Sequence, residues 1–361
     1  MKKTGRIGIL TSGGDCAGLN AVIRAVVLHA SGQYGWEVVG IHNGTQGLMD
    51  RPVSATPLTP AMVGDVLLRQ AGTILGTTNR GNPFAYPMPD GTVIDRTPEA
   101  IEGFRMLGLD ALIGVGGDGS MKILSELAQR GDIPLVAIPK TIDNDVMLTE
   151  FSVGFETAMS TATLALDHLQ PTAASHSRVM VLEVMGRDAG HIAITAGIAG
   201  GADVIIIPEI PWRLDRIAAH IAGLRERGRN FALVVVAEAV PTEGGEPLKA
   251  VQSAGGLTYG GIGHYLGDRI GEVTGAETRV TVLGHVQRGG VPEPRDRILA
   301  SAFGVHAVDL VAAGKFSRMV AWRNRSVVDV AIEEVIAKPR SVNPAGTLVR
   351  TARGLGISFG D

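Results

Sequence analysis

The sequence predicts an α/β protein made of two similar, doubly wound lobes with mostly parallel sheets, and three observations predict it. Short apolar runs such as Leu135-Val136-Ala137-Ile138 alternate with stretches of helical spacing, the βαβ order that builds a parallel sheet covered on both faces. The runs end in glycine-rich turns, and 49 glycines in 361 residues is about twice the usual share of ~7%. At roughly 150 residues per domain, a chain of 361 residues divides into two. The expected boundaries are 1–155, 156–286, and a C-terminal segment 287–361 that returns to the first lobe and ends in a tail.

Taken in order, residues 6–10 read as a first strand closed by Thr11-Ser12-Gly13-Gly14-Asp15. A helix follows, with Val22, Ile23, Val26 and Val27 at helical spacing. Residues 36–41 read as a strand, residues 72–84 as a long polar loop, and residues 98–108 as a helix. Apolar runs at 111–113 and 135–138 then end close together as buried parallel strands. Beyond them the alternation continues with a strand at 179–183, a helix near 189–199, a strand at 202–207, a helix at 214–227 and a strand at 232–237. The run at 281–283 reads as a last strand, and 293–313 as a helix with Ile298, Leu299, Phe303, Val308 and Val311 on its apolar side. The basic tail beyond Pro339 is expected to pack as an extension.

The strand ends carry the chemistry. After the run at 111–113 comes Gly114-Val115-Gly116-Gly117-Asp118-Gly119-Ser120, where Ser120 is expected to cap a helix that buries Ile123, Leu124 and Leu127. Backbone N–H groups at a helix start cradle phosphate. Asp118 inside that cradle would repel a phosphate unless a divalent cation lies between them. The same acid counts against a dinucleotide fold, whose pyrophosphate rests on bare backbone, although Gly114 to Gly119 fits that fingerprint. After the second run comes Pro139-Lys140-Thr141-Ile142-Asp143-Asn144-Asp145. If that segment stays extended, Asp143 and Asp145 share one face, one as base and one for the metal, and the spacing does not say which.

Composition removes other classes. A net charge of −3 gives no broad basic face for nucleic acid. No apolar run approaches the ~18 residues of a membrane span, and the single cysteine, Cys16, excludes a disulfide framework. A cytosolic protein is expected.

Together the motifs Thr11-Ser12-Gly13-Gly14-Asp15, Gly116-Gly117-Asp118-Gly119-Ser120, Pro139-Lys140-Thr141-Ile142-Asp143-Asn144-Asp145, Met185-Gly186-Arg187, Glu238 and Gly284-His285-Val286-Gln287-Arg288-Gly289-Gly290 resemble those of the 6-phosphofructokinases over about residues 6–315. The resemblance implies a phosphoryl-donor lobe at 1–155, a sugar-phosphate lobe at 156–286 and an active site in the cleft between them. It implies Asp143 as the base for the 1-hydroxyl of fructose 6-phosphate, with Thr141 and Arg187 steadying the moving phosphoryl group. Gly13, Gly14, Arg80, Gly117, Asp118, Gly119, Ser120 and Lys140 would bind the donor, with Asp118 and Asp145 on Mg2+. Met185, Gly186, Glu238, His285 and Arg288 would bind the sugar phosphate. Arg178 and Arg279 would reach it from a neighbouring subunit of a dimer or tetramer. Pyrophosphate-using members usually pair Asp at the place of Gly119 with Lys at the place of Lys140. Here Gly119 leaves room for a nucleotide and favours ATP, with pyrophosphate as the alternative donor. Thr45 replaces an aromatic of many ATP-dependent members, and Leu28 replaces a basic effector-site residue.

Overall fold

Uninterrupted aliphatic runs bury both faces of a strand, and here they form the inner strands of two sheets. The computed structural model describes residues 5–79, 81–251 and 257–361. The chain divides into two units, Met1–Thr157 with Arg288–Pro339 and Ala158–Gln287 with Arg340–Asp361.

The first unit is built on β1 (Arg6–Thr11), β2 (Glu37–Ile41), β3 (Ala55–Leu58), β6 (Ala111–Gly116), β7 (Leu135–Pro139), β14 (Arg318–Arg323) and β15 (Ser326–Ala331). Their order is β15-β14-β7-β6-β1-β2-β3, and a separate short pair joins β4 (Tyr86–Pro87) to β5 (Val93–Ile94). The five inner strands run parallel, while β3 and β15 close the two edges antiparallel. Helices α1 (Leu19–Tyr34), α2 (Gln46–Met49), α3 (Thr97–Met106), α4 (Asp118–Gly131), α9 (Pro294–Ala312) and α10 (Ile332–Val335) belong to this unit. Helix α1 buries Val22, Ile23, Val26 and Val27 completely because α9 packs on it closely. A Cβ at Gly304 of α9 would stand 2.7 Å from the Cβ of Ala25, so only glycine permits that approach.

The second unit has a four-stranded parallel sheet of β8 (Val179–Val184), β9 (Val204–Ile206), β10 (Ala232–Ala237) and β13 (Thr278–Val282), in the order β13-β8-β10-β9. A short antiparallel pair joins β11 (Lys249–Val251) to β12 (Leu257–Tyr259). Helix α5 (Phe155–His176) starts in the first unit and continues into the second, which also holds α6 (His191–Ala199), α7 (Leu214–Glu226), α8 (Ile262–Thr274) and α11 (Thr347–Gly354). The tail is an edge strap: Ser358 donates to Asp203 O at 3.0 Å and accepts from Ile205 N–H at 2.9 Å, covering the open side of β9.

Several expectations are corrected. Both sheets are doubly wound and mostly parallel, yet seven strands against four makes the units unequal in size. The surplus comes partly from the β14–β15 hairpin, whose turn residues Asn324 and Arg325 both have positive φ, 49° and 65°. Such a turn usually announces itself as Asn-Gly, and Asn-Arg hides it. Ser120 is no cap: α4 starts at Asp118 after Gly117, and Ser120 sits inside its first turn. Helix α4 buries Met121, Leu124 and Leu127 rather than Ile123, and α9 leaves Ile298 64% exposed. Among the described residues no helix is long and apolar enough to cross a membrane.

His191 opens α6 with its Nε2 3.2 Å from Arg340 O. Burial, helped by the Arg340 charge, pushes its imidazole down to about 4. Unfolded, the ring takes a proton near its ordinary value of 6.5 while the folded ring stays neutral, so stability is lost as pH falls through that window. Urea unfolding is expected to show up to about 3 kcal/mol of this loss between pH 7 and 4. His191→Gln should shrink the pH dependence by that amount, and equal curves for both proteins refute the assignment.

Candidate active site

Strand order reverses around β1, whose sequence neighbour β2 lies on one side and β6 on the other, and in parallel sheets such a point opens a crevice at the carboxyl ends. Thr11 pairs with Val115, so the turns Ser12–Gly14 and Gly116–Gly119 leave the sheet side by side. Ser12 N–H donates to Val115 O at 2.9 Å and Gly13 N–H to Thr78 O at 3.2 Å. Thr77 Oγ1 donates to Gly13 O at 2.6 Å. The 72–84 loop is thus tied to the turn Ser12–Gly14 rather than being a free excursion. Asn20, wholly buried, holds its start by donating to Gln70 O and Ala71 O and accepting from Ile74 N–H. Thr45, buried, donates from Oγ1 to Gly81 O. Arg80 lies outside the described residues.

Two cations crowd this turn. Lys140, 3% exposed, donates from Nζ to Gly14 O, and burial pushes its ammonium pKa down. Arg288 Nη1 donates to Asp15 O at 2.9 Å and stands 2.6 Å from where a Cβ on Gly14 would be. Arg288 was expected on the sugar phosphate; in the first unit it lies on the turn Ser12–Asp15. Gly119 differs from its neighbours: a Cβ there would meet nothing within 4 Å, whereas one on Gly116 would stand 2.5 Å from Ser120 Cβ. Gly116 is therefore required by packing and Gly119 is not. Asp118 occupies the first turn of α4, where a helix start favours an anion or a phosphate beside it.

The segment Thr141–Asp145 is bent. Asp143 N–H donates to Thr141 Oγ1 at 3.1 Å, Thr141 Oγ1 lies 3.3 Å from Asp143 Oδ2, and Asn144 has φ 52°. The extended-strand argument for a shared face of Asp143 and Asp145 therefore fails. Asn144 is one of the few side-chain types at home in that conformation, and it secures it by donating to Glu150 O and accepting from Ser152 N–H. Asp143, Asn144 and Asp145 are all buried. Residues 152–154 run beside 139–141, with Thr141 N–H on Val153 O and Val153 N–H on Pro139 O. Behind them Asp296 of α9, at zero exposure, accepts from Gly154 N–H, Thr157 N–H and Thr157 Oγ1 at 2.8, 2.8 and 2.6 Å. Burial pushes its carboxyl pKa up, against those hydrogen bonds. Nothing in the local pattern around Asp296 distinguishes it from a solvated acid in a helix's first turn.

In the second unit the strand ends hold the other motifs. Met185 N–H donates to Gln287 Oε1 at 2.8 Å, and Gly186 and Arg187 N–H donate to Glu238 Oε1 at 3.3 and 3.0 Å. Arg187 is exposed with φ 51°. His285 is exposed in the 3-10 turn Gly284–Arg288. Arg178 and Arg279 stand elsewhere. Arg178 precedes β8 and Arg279 pairs with Met180, so both occupy the amino ends of their strands, opposite the carboxyl end of β8 that leads to Met185–Arg187. Six residues of strand separate them from that end by roughly 20 Å. Both guanidiniums close on Glu277, and Arg178, then Arg279, holds its carboxyl below the usual range.

Among the described residues no three His, Cys, Asp or Glu side chains gather as a metal cage. Magnesium keeps several waters and takes one or two carboxylates plus substrate phosphates. Asp118 and Asp145 are carboxylates of the kind such an ion takes.

A doubly wound sheet with cationic, glycine-rich turns at its switch point defines the class as nucleotide- or phosphate-handling α/β enzymes. Residues 6–311 match the phosphofructokinase family, and the chain belongs to it. It is 63% identical to ATP-dependent 6-phosphofructokinase 1 of Synechocystis sp. and 61% identical to the protein of that name from Nostoc sp., each over 361 residues and 100% of both chains. Among solved structures it is similar to phosphofructokinase from Saccharomyces cerevisiae, with TM-score 0.77 and 29% identity over 99% of this chain and 48% of that one. The chain thus spans about half the length of that yeast protein. It shares its fold with a pyrophosphate-dependent phosphofructokinase from Marinobacter aquaeolei, with TM-score 0.79 and 21% identity, covering 98% of this chain and 92% of that one.

Asp296→Asn replaces one acceptor oxygen by an amide that faces a donor. We expect a stability loss of about 3 kcal/mol in urea unfolding, with activity falling further than the unfolded fraction accounts for. A variant as stable as the parent refutes this.

Proposed function

We propose that this chain transfers the terminal phosphoryl group of ATP to the 1-hydroxyl of fructose 6-phosphate, giving fructose 1,6-bisphosphate in glycolysis. The observation that carries the donor assignment is the open space at Gly119, beside a turn that presents Lys140 and Arg288 to an anion. In this reading Asp143 takes the proton of the 1-hydroxyl and so makes the attacking oxygen nucleophilic. Its carboxylate is oriented by the Thr141 hydroxyl and the bend at Asn144. Thr141 and Arg187 hold the phosphoryl group in flight, and the N–H groups near Gly14 and Gly117 to Ser120, with Lys140, hold the donor. Asp118 and Asp145 would hold Mg2+, which supplies charge neutralisation on the donor's phosphates. Met185, Gly186, Glu238 and His285 bind the sugar phosphate. The substrates and the lone Cys16 suit the cytoplasm.

Lys140 is the observation that favours pyrophosphate as a second reading, since a buried ammonium at Gly14 O meets a terminal phosphate of either donor. Coupled assays at equal magnesium with ATP and with pyrophosphate decide between them, and turnover on pyrophosphate alone overturns the first reading. Because the site is open and a carboxylate suits a helix start, Gly119→Asp should fold as well as the parent. It should lose about 100-fold or more in kcat/KM for ATP by repelling the nucleotide's phosphates.

Arg178 and Arg279 complete the sugar-phosphate site of a neighbouring subunit in a homo-oligomer, a reading supported by their place at the far end of their own sheet. Asp143→Ser should lower kcat by orders of magnitude, and Arg279→Ala should raise the KM for fructose 6-phosphate. Mixing the two variants should restore turnover at low fructose 6-phosphate in hybrids, because one subunit then offers the base and its neighbour the arginine. Strictly additive residual activities argue for a site complete within one chain.

A further inference from the structure

The loop at 185–190 is held in a conformation it would not adopt alone. Arg187 has φ 51°, and Gly186 has φ 158° with a Cβ position 2.5 Å from Ala189 O. Such backbone persists only where its surroundings over-determine it. Glu238 grips the front of the loop through the Gly186 and Arg187 N–H groups. A second carboxylate grips the back: Gly190 N–H lies 3.0 and 3.2 Å from the two oxygens of Glu209. Gly190 is shaped for that grip, since a Cβ would stand 2.4 Å from Ile207 and 2.9 Å from Glu209 Oε2.

Glu209 is itself held by the C-terminal segment, accepting from Val342 N–H at 2.8 Å. That segment is docked, not draped. Val342, Val349, Ala352 and Phe359 are buried, Ser358 pairs with β9, and Arg213 N–H donates to Gly360 O at 2.7 Å.

We propose that Glu209 is a positioning residue through which the docked C-terminal segment sets the sugar-phosphate loop, so that residues 340–361 tune affinity for fructose 6-phosphate. This rests on the assignment of Met185, Gly186 and Arg187 to that substrate. Loss of the Glu209 bond frees Gly190 and lets the strained turn relax, which weakens substrate binding without touching the base or the donor turn.

Steady-state kinetics on the full-length protein test it. Glu209→Gln keeps the shape but turns one acceptor into a donor, and the KM for fructose 6-phosphate should rise about tenfold. The KM for ATP should stay within about twofold, and any fall in kcat through Arg187 should be smaller than the rise in the sugar KM. Val342→Pro, which removes the N–H and leaves Glu209, should move the same KM in the same direction. Amide exchange over 185–191 should quicken in both variants while β10 keeps its protection. An unchanged sugar KM with unchanged exchange overturns the proposal, as does a matched loss in both KM values and kcat. If the parent protein turns over no fructose 6-phosphate, the functional assignment fails on its own, and amide exchange still judges the link from Val342 through Glu209 to the loop.

Discussion

In the first unit everything depends on the parallel pairing of β1 with β6, Thr11 opposite Val115. That register makes two glycine turns emerge together and puts the start of α4 beside Ser12 and Gly13. A slip of one residue would turn every side chain of a strand to the other face. The turn Ser12–Asp15 can then be reached by Lys140 from the end of β7 and by Arg288 from the start of the segment that returns to this unit. Two cations at one turn, each donating to a carbonyl, bring positive charge to a turn that also carries Asp15.

Carboxylates hold the loops that carry this chemistry. Asp296 accepts three hydrogen bonds at the start of α5, Glu183 accepts from Gly261 and Gly263 N–H at the start of α8, and Glu209 and Glu238 bracket the loop at 185–190. A buried carboxylate is costly unless backbone N–H groups surround it, and helix starts provide such groups in excess. Each pairing therefore removes two liabilities at once. The loops gain a fixed shape from partners distant in sequence.

How much of this could be read beforehand varied with the range of the interactions. The inner strands at β6, β7, β8 and β10 were plain because unbroken aliphatic runs have few other uses. The motif residues were plain because glycine, Asp118 and the Thr-Ile-Asp-Asn-Asp run combine steric and charge demands that ordinary turns do not make. The hairpin β14–β15 was hidden by a turn of unusual composition, and β3 by its shortness. Ser120 looked like a cap because serine caps well, yet the backbone of Gly117 already starts the helix. The bend at Asn144 was missed because alternation assumes extended chain, and one left-handed residue cancels it.

What the chain determined by itself was therefore local: which runs are buried, where glycine admits a close approach, and which acids sit in phosphate-binding turns. Tertiary structure alone decided that Arg288 lies on Asp15, that Asp296 supports the segment beside Thr141, that Arg178 and Arg279 sit at the far end of their sheet, and that the tail reaches Glu209. The reason is physical. Propensity and periodicity act over a few residues, whereas these contacts join positions tens to hundreds of residues apart, and their partners exist only once the sheets have formed.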